Sequence, residues 1–278
     1  MSTKYVLITG CTDGGIGSAL AIVFHRKGYH VFATARNPNT MGALKDLQNV
    51  TFLRLDVTNQ TQINDAVAAV TKETDGRLHY LINNAGHNRY MPVLDENIAE
   101  ARELFDTNVW GSLAVTKALA PLVIQAKGTI GFVTSLAGHV NVPFMGVYAA
   151  SKRSQEIIAE TMRLELAPFG VKVLSVVTGA VGTRGQSYFG DWHLPEDSLY
   201  KSIEKTIYAR AHWEDGVPRM DAITYAEKVV NRLTAGSTGT VWYGASSSTV
   251  KFLLSWFPTW VLDRAFAYGT GLDKVGRK

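Results

Sequence analysis

Short apolar runs alternate with longer stretches of helical period along most of the chain. Residues 5–9 form a compact run rich in β-branched side chains, and residues 16–26 then carry their apolar side chains on one helical face. Further strands are predicted over 30–35, 51–56, 78–82, 129–134, 171–177 and 240–243. Helices are predicted over 63–70, 148–167 and 225–233, and a long Ala/Leu-rich segment runs over 98–126. Strands that are apolar on both faces and alternate with helices predict an α/β fold. Right-handed crossovers make that a doubly wound parallel sheet of Rossmann type, in a single domain. In such sheets chemistry sits beyond the carboxyl ends of the strands, so the residues after each strand matter most.

Composition changes this picture little. The 278 residues are 46% hydrophobic and 19% charged, enough apolar material for a full core. A net charge of +4 is too small and too scattered to argue for nucleic acid, though it suits an anionic cofactor. The single cysteine, Cys11, forms neither an internal disulfide nor a cysteine metal site, and no His/carboxylate spacing resembles a zinc set. We therefore expect no metal. The opening residues enter a strand at once, without the charged, apolar and small-residue regions of a secretory signal. The expectation is a cytoplasmic protein.

The first strand runs into Thr9-Gly10-Cys11-Thr12-Asp13-Gly14-Gly15-Ile16-Gly17 and then a helix. A glycine turn there lets backbone N–H groups approach a pyrophosphate, and the helix N-terminus adds positive charge. The second strand closes on Thr34-Ala35-Arg36, with Thr34 and Arg36 expected to touch the cofactor and no acidic residue for a ribose 2′-hydroxyl. Arg36 instead suits a 2′-phosphate, which favours NADPH/NADP+ over NADH. After the third strand, Asp56 beside Val57 is an acceptor for an adenine amino group or a cap for the next helix. After the fourth, Asn83-Asn84-Ala85-Gly86 lets the chain pass close to a ribose, with the amides bracing neighbouring strands.

The fifth strand ends in Thr134-Ser135, and Tyr148-Ala149-Ala150-Ser151-Lys152 follows. Positions i and i+4 share a helical face, so Tyr148 and Lys152 project to one side. A free tyrosine has a pKa of about 10. A nearby ammonium lowers it, giving a general acid near neutral pH, with Ser135 placed to hold a carbonyl oxygen.

Together these residues resemble the short-chain dehydrogenase/reductase family over residues 4–244. The resemblance implies that Tyr148 protonates a carbonyl oxygen, Ser135 orients it, and Lys152 tunes Tyr148 and binds the nicotinamide ribose. It implies that Asn108 helps hold a proton-relaying water and that Thr183, beside Val181, meets the carboxamide. Two departures stand out: the glycine turn is one residue longer than usual, and Thr178-Gly179 replaces the usual Pro-Gly, which is expected to loosen that turn. Residues 1–244 are thus read as the dinucleotide-binding and catalytic domain.

Residues 184–221 form a long, aromatic segment, with Tyr188, Phe189, Trp192, His193, Tyr200, Tyr208, His212 and Trp213, read as a substrate loop over an apolar ligand. The 245–278 tail holds Trp256, Phe257, Trp260 and Phe266 but lacks the ~20 apolar residues of a spanning helix. Three fates stay open for it: an intracellular membrane or lipid droplet, a second subunit, or the protein's own core. These features narrow the resemblance to a fungal group similar to NADPH-dependent 1-acyldihydroxyacetone-phosphate reductases and secondary-metabolite ketoreductases. The implied activity is NADPH-dependent reduction of a ketone on a lipid-like or polyketide/terpenoid substrate, in a homo-oligomer (dimer or tetramer). The alternatives are a secondary-alcohol dehydrogenase running the same site backwards, and a cofactor-binding pathway partner without turnover.

Overall fold

The computed structural model describes residues 3–184, 190 and 192–276. Seven strands, β1 (Tyr5–Ile8), β2 (His30–Ala35), β3 (Val50–Arg54), β4 (Tyr80–Asn83), β5 (Thr129–Val133), β6 (Lys172–Thr178) and β7 (Gly239–Tyr243), form one sheet in the order β3-β2-β1-β4-β5-β6-β7. Every pairing between these strands is parallel, with Leu7 opposite Phe32 on one side and Leu81 on the other. The chain winds outward from β1 to β3 and then restarts at β4 on the other side of β1. The crevice between β1 and β4 is therefore the switch point of a doubly wound sheet, as the alternation predicted.

Strand periodicity sorts the core into two layers. Val6 and Ile8 face α1 (Ile16–Arg26) and α7 (Ala222–Thr234), packing on Leu20, Phe24, Tyr225 and Val229. Leu7 points the other way, into a cluster with Ile63 and Val70 of α2 (Gln60–Thr74) and Leu119 and Val123 of α4 (Ser112–Ala126). Ala159 of α5 (Gly146–Leu166) completes that layer.

The Ala/Leu-rich segment is helical throughout but not uniform. α3 (Ile98–Phe105) passes into α4 through a π-helical turn at Asp106–Gly111. The 29-residue stretch Ile98–Ala126 is long and apolar enough to cross a membrane. Its apolar character has another use here, because α4 lines the core with Val115, Leu119, Leu122 and Val123. Within the substrate loop lies α6 (Glu204–Ala211). The tail folds into α8 (Ser247–Trp256) and α9 (Thr259–Ala267). Val250 and Leu262 bury themselves against Val140, so one face of the tail docks on the protein's own core.

Candidate active site

The glycine turn is shaped by close approach. Gly17 opens the second residue of α1, and a Cβ there would lie 2.2 Å from the Gly10 carbonyl oxygen and 2.6 Å from Asn84 Nδ2. Only glycine lets α1 start this close to the β1 end. Gly10 takes φ +74°, in the left-handed region that favours glycine. The extra residue is absorbed on the outside of the turn. The Gly15 N–H closes on the Thr12 carbonyl at 3.1 Å, while Asp13 points away and accepts the Ala43 N–H at 3.0 Å. Gly15 is the N-cap of α1, with no side-chain cap and no acidic residue in the first turn. That uncapped, positively polarised helix end, with Gly10, Thr12, Gly15 and Ile16 on the cleft wall, suits a dinucleotide pyrophosphate.

Arg36, Asp56 and Val57 border the same cleft. Arg36 is exposed and has no ion-pair partner among the described residues. Asp56 does not cap α2: Asn59 does, accepting the Gln62 N–H at 3.0 Å, while Asp56 Oδ1 accepts from the Thr58 N–H and hydroxyl. Two expected contacts lie behind the wall. Thr34 is fully buried and off the cleft, and its carbonyl supports the turn by accepting the Cys11 N–H at 2.8 Å. Gly17 likewise shapes the turn without lining it. The Cys11 thiol, buried in the same layer, is pushed up to about 12 and stays inert. Asn84 braces the strands as expected, its Nδ2 donating to the Thr9 and Gly10 carbonyls at 2.8 and 3.0 Å. Ala85 and Gly86 continue along the cleft wall.

The reactive groups meet beyond β5. Ser135, buried at the strand end, hydrogen-bonds the Tyr148 phenol from the first turns of α5. Lys152, one turn further, is buried and donates to the Val133 carbonyl at 2.9 Å and to Gln155 Oε1 at 3.2 Å. Asn108 sits in the π-helical turn and does not reach the cleft. Its Nδ2 donates to the His87 carbonyl and to Ser151 Oγ, both at 3.0 Å, and its Oδ1 accepts the His87 N–H at 3.1 Å. Both amide protons are thus used within the protein. Asn108 thus positions the chain at His87, whereas the resemblance implied that it helps hold a water.

The charge states correct a second expectation. Burial, partly offset by the Ser135 hydrogen bond, raises the Tyr148 pKa, and Lys152 does not lower it. The Lys152 ammonium is turned to a carbonyl and an amide instead, and burial lowers its own pKa to about 8. The phenol therefore stays protonated at neutral pH. Past β6, Thr178 does not loosen the turn that proline usually occupies. Its hydroxyl bonds Tyr225 at 2.6 Å, and Gly179 N–H donates to the Tyr243 carbonyl at 2.7 Å. Val181 and Thr183 follow on the cleft wall.

The profile of the short chain dehydrogenase family matches residues 4–193. The chain belongs to the short-chain dehydrogenase family. It is 44% identical over 258 residues to short-chain dehydrogenase PC-15 of Penicillium crustosum, covering 93% of this chain and 94% of that one. It is 43% identical over 208 residues to the NADPH-dependent 1-acyldihydroxyacetone phosphate reductase of Schizosaccharomyces pombe, covering 73% and 70%. Among solved structures it resembles a short chain dehydrogenase from Burkholderia cenocepacia in complex with NADP, with TM-score 0.75, 25% identity and coverage of 95% and 97%. A Streptomyces avermitilis short-chain dehydrogenase matches with TM-score 0.78 and 27% identity, covering 98% and 97%.

In this short-chain dehydrogenase the nucleotide and catalytic ends share one cleft of about 1250 Å³. Its far wall differs from the aromatic lid expected of residues 184–221. Tyr188 and Phe189 lie outside the described residues. Trp192 is buried, its indole N–H donating to the Tyr90 carbonyl at 2.7 Å, and Tyr200 packs edge-on to Phe144. His193 is exposed near Glu204, and His212 stacks on Tyr208. Among its described residues the loop presents Arg184, Arg210, Trp213, Asp215, Val217 and Arg219 to the cleft. Sequence reasoning missed the arginines because their placement depends on how the loop returns. It also missed His87 and Tyr90, although both follow β4, where the strand-end rule applies. The tail contributes too: Val250 and Phe266 complete an apolar stretch with Val142 and Met145.

Proposed function

We propose that this oxidoreductase reduces a ketone to a secondary alcohol with NADPH, and that Tyr148 supplies the proton. The observation that carries this reading is the Tyr148 phenol, bonded to Ser135, in one cleft with an uncapped glycine turn. NADPH supplies the hydride when bound. The N-terminus of α1 would hold its pyrophosphate and Arg36 its 2′-phosphate, with Asp56 toward the adenine. The NADP complex of the Burkholderia relative and the NADPH dependence named for the yeast relative support this choice.

The residues divide the work on the carbonyl. Ser135 donates to the carbonyl oxygen and fixes it beside the Tyr148 hydroxyl. As negative charge develops on that oxygen, Tyr148 passes its proton to it, and the alcohol forms. The phenolate left behind keeps its hydrogen bond to Ser135 and then takes a proton from solvent. A raised pKa keeps the phenol protonated at neutral pH, so the resting site holds the proton that reduction needs.

Val142, Met145, Val250 and Phe266 give the substrate an apolar wall, which suits a lipid-like or secondary-metabolite ketone. The outer face of the tail carries Trp256 and Trp260, 74% and 60% exposed, with Phe252 on the same pair of helices. Aromatic side chains on a short two-helix hairpin suit the headgroup region of a membrane, so this face is read as a peripheral lipid contact.

The reading is tested with NADPH deuterated at the transferring position and a ketone panel. The expected product is a secondary alcohol carrying one deuterium at the carbinol carbon. Tight NADPH binding without transfer to any ketone would instead identify a non-redox partner.

A further inference from the structure

The substrate end of the cleft holds a cation that the chemistry above does not use. Arg210 lies on the last turn of α6 and lines the cleft, and its Nε is buried with no hydrogen-bond partner among the described residues. A buried guanidinium N–H without an acceptor is destabilising, so such a group is retained where something else satisfies it. The carboxylate on the same wall is already engaged. Asp215 Oδ1 accepts from Arg219 Nη2 at 2.9 Å and from the Val217 N–H at 3.1 Å. Arg219 is held in place by this pair, by the Val217 carbonyl and by the Trp213 ring, 4.8 Å below its guanidinium.

These groups converge near the proton donor. Arg210, Arg219, Asp215, Tyr148 and Tyr90 all line this one cleft, and the first four act electrostatically on the Tyr90 hydroxyl. Two guanidiniums against one carboxylate leave this end of the cleft positive. The apolar stretch of Val142, Met145 and Phe266 shares the same cleft.

We infer that Arg210, flanked by Arg219, is a subsite for an anionic group, a carboxylate or a phosphate, carried by the ketone substrate. A planar guanidinium with free N–H groups matches either oxyanion. The substrate is then amphiphilic: an anionic head on the loop side of Tyr148, with an apolar body on the tail side. This rests on the reading that the cleft reduces ketones, and the experiment separates the two.

Inorganic phosphate and levulinate are titrated calorimetrically into NADP+-saturated protein, whose nucleotide end is filled. Binding is expected in the wild type, weakened at least about tenfold in Arg210→Met and partly kept in Arg210→Lys, with melting temperature as the folding check. Turnover with NADPH is then compared for levulinate against methyl levulinate, and for hydroxyacetone phosphate against hydroxyacetone. The charged member of at least one pair is expected to have the higher kcat/KM, the better pair showing whether the head is a carboxylate or a phosphate. Arg210→Met should bring that ratio toward one. No anion binding in the wild type, or binding and ratios unchanged in Arg210→Met, would overturn the subsite. Arg210-dependent anion binding with no turnover of any ketone would retain the subsite and remove the reductase reading.

Discussion

At the scale of single residues, burial pushes both members of the Tyr148/Lys152 pair toward neutrality. It raises the phenol and lowers the ammonium, from its ordinary 10.5 to about 8. The folded chain therefore holds the Lys152 proton less tightly than the unfolded chain does. Charging Lys152 inside the fold opposes folding at pH below about 8, and the penalty fades as pH rises from about 8 toward 10.5. The nucleotide-free wild type should gain about 3 kcal/mol over that window relative to Lys152→Met, read from urea unfolding midpoints. A constant difference between the two proteins would show that the ammonium is not desolvated. The exposed Arg36 makes a separate prediction. Arg36→Ala should weaken NADPH about tenfold or more while leaving NADH affinity unchanged, since only NADPH carries the 2′-phosphate. Equal losses for both nucleotides in a fluorescence titration would remove Arg36 from that role.

Much of this was legible at residue scale, because local spacing fixes local geometry. Tyr148 and Lys152 share a helix face whatever surrounds them, and Ser135 ends a strand that its apolar run marks. The direction of the Tyr148 shift was not legible. It depends on where the Lys152 ammonium finds acceptors, and those are the Val133 carbonyl and Gln155. Thr34 was misplaced for a similar reason: one position along a strand decides between cleft and core.

At the scale of elements, the pattern of apolar runs set the order of strands and helices, while backbone contacts set their distances. The β1 turn and α1 are joined by the missing side chain of Gly17. Gly17→Ala should force α1 away from the Gly10 carbonyl and Asn84, destabilise the protein by roughly 1–3 kcal/mol, and weaken NADPH more than that loss of folding explains. Thermal melts with and without NADPH measure both effects, and a variant with wild-type values in both would refute the tight approach. The π-helical turn at Asp106–Gly111 was hidden in the sequence. A continuous apolar period gives no sign that one extra residue will be inserted into a turn. Its effect is to aim the Asn108 amide at the chain carrying His87, on which the cleft wall depends.

At the scale of the whole molecule, the fold class followed from the alternation of elements, but the walls of the substrate end did not. They come from segments far apart in sequence: the loop arginines, Tyr90 after β4, and Val250 and Phe266 from the tail. The tail has two faces for this reason. Leu262 and Val250 pack on Val140, in the loop after Ser135, while Trp256 and Trp260 face outward. Replacing both tryptophans by serine should leave the fold intact and abolish co-sedimentation with anionic lipid vesicles. Failure of the wild type to sediment with vesicles would remove the lipid contact and leave the outward face to another protein surface.

The cleft as a whole has one central claim, that Tyr148 is the proton donor in hydride transfer to a ketone. Single-turnover oxidation of bound NADPH by a reactive ketone tests it most directly, in wild type and in Tyr148→Phe. The predicted result is a rate reduced about a hundredfold or more in Tyr148→Phe, with NADPH affinity preserved. Wild-type rates from Tyr148→Phe would contradict it.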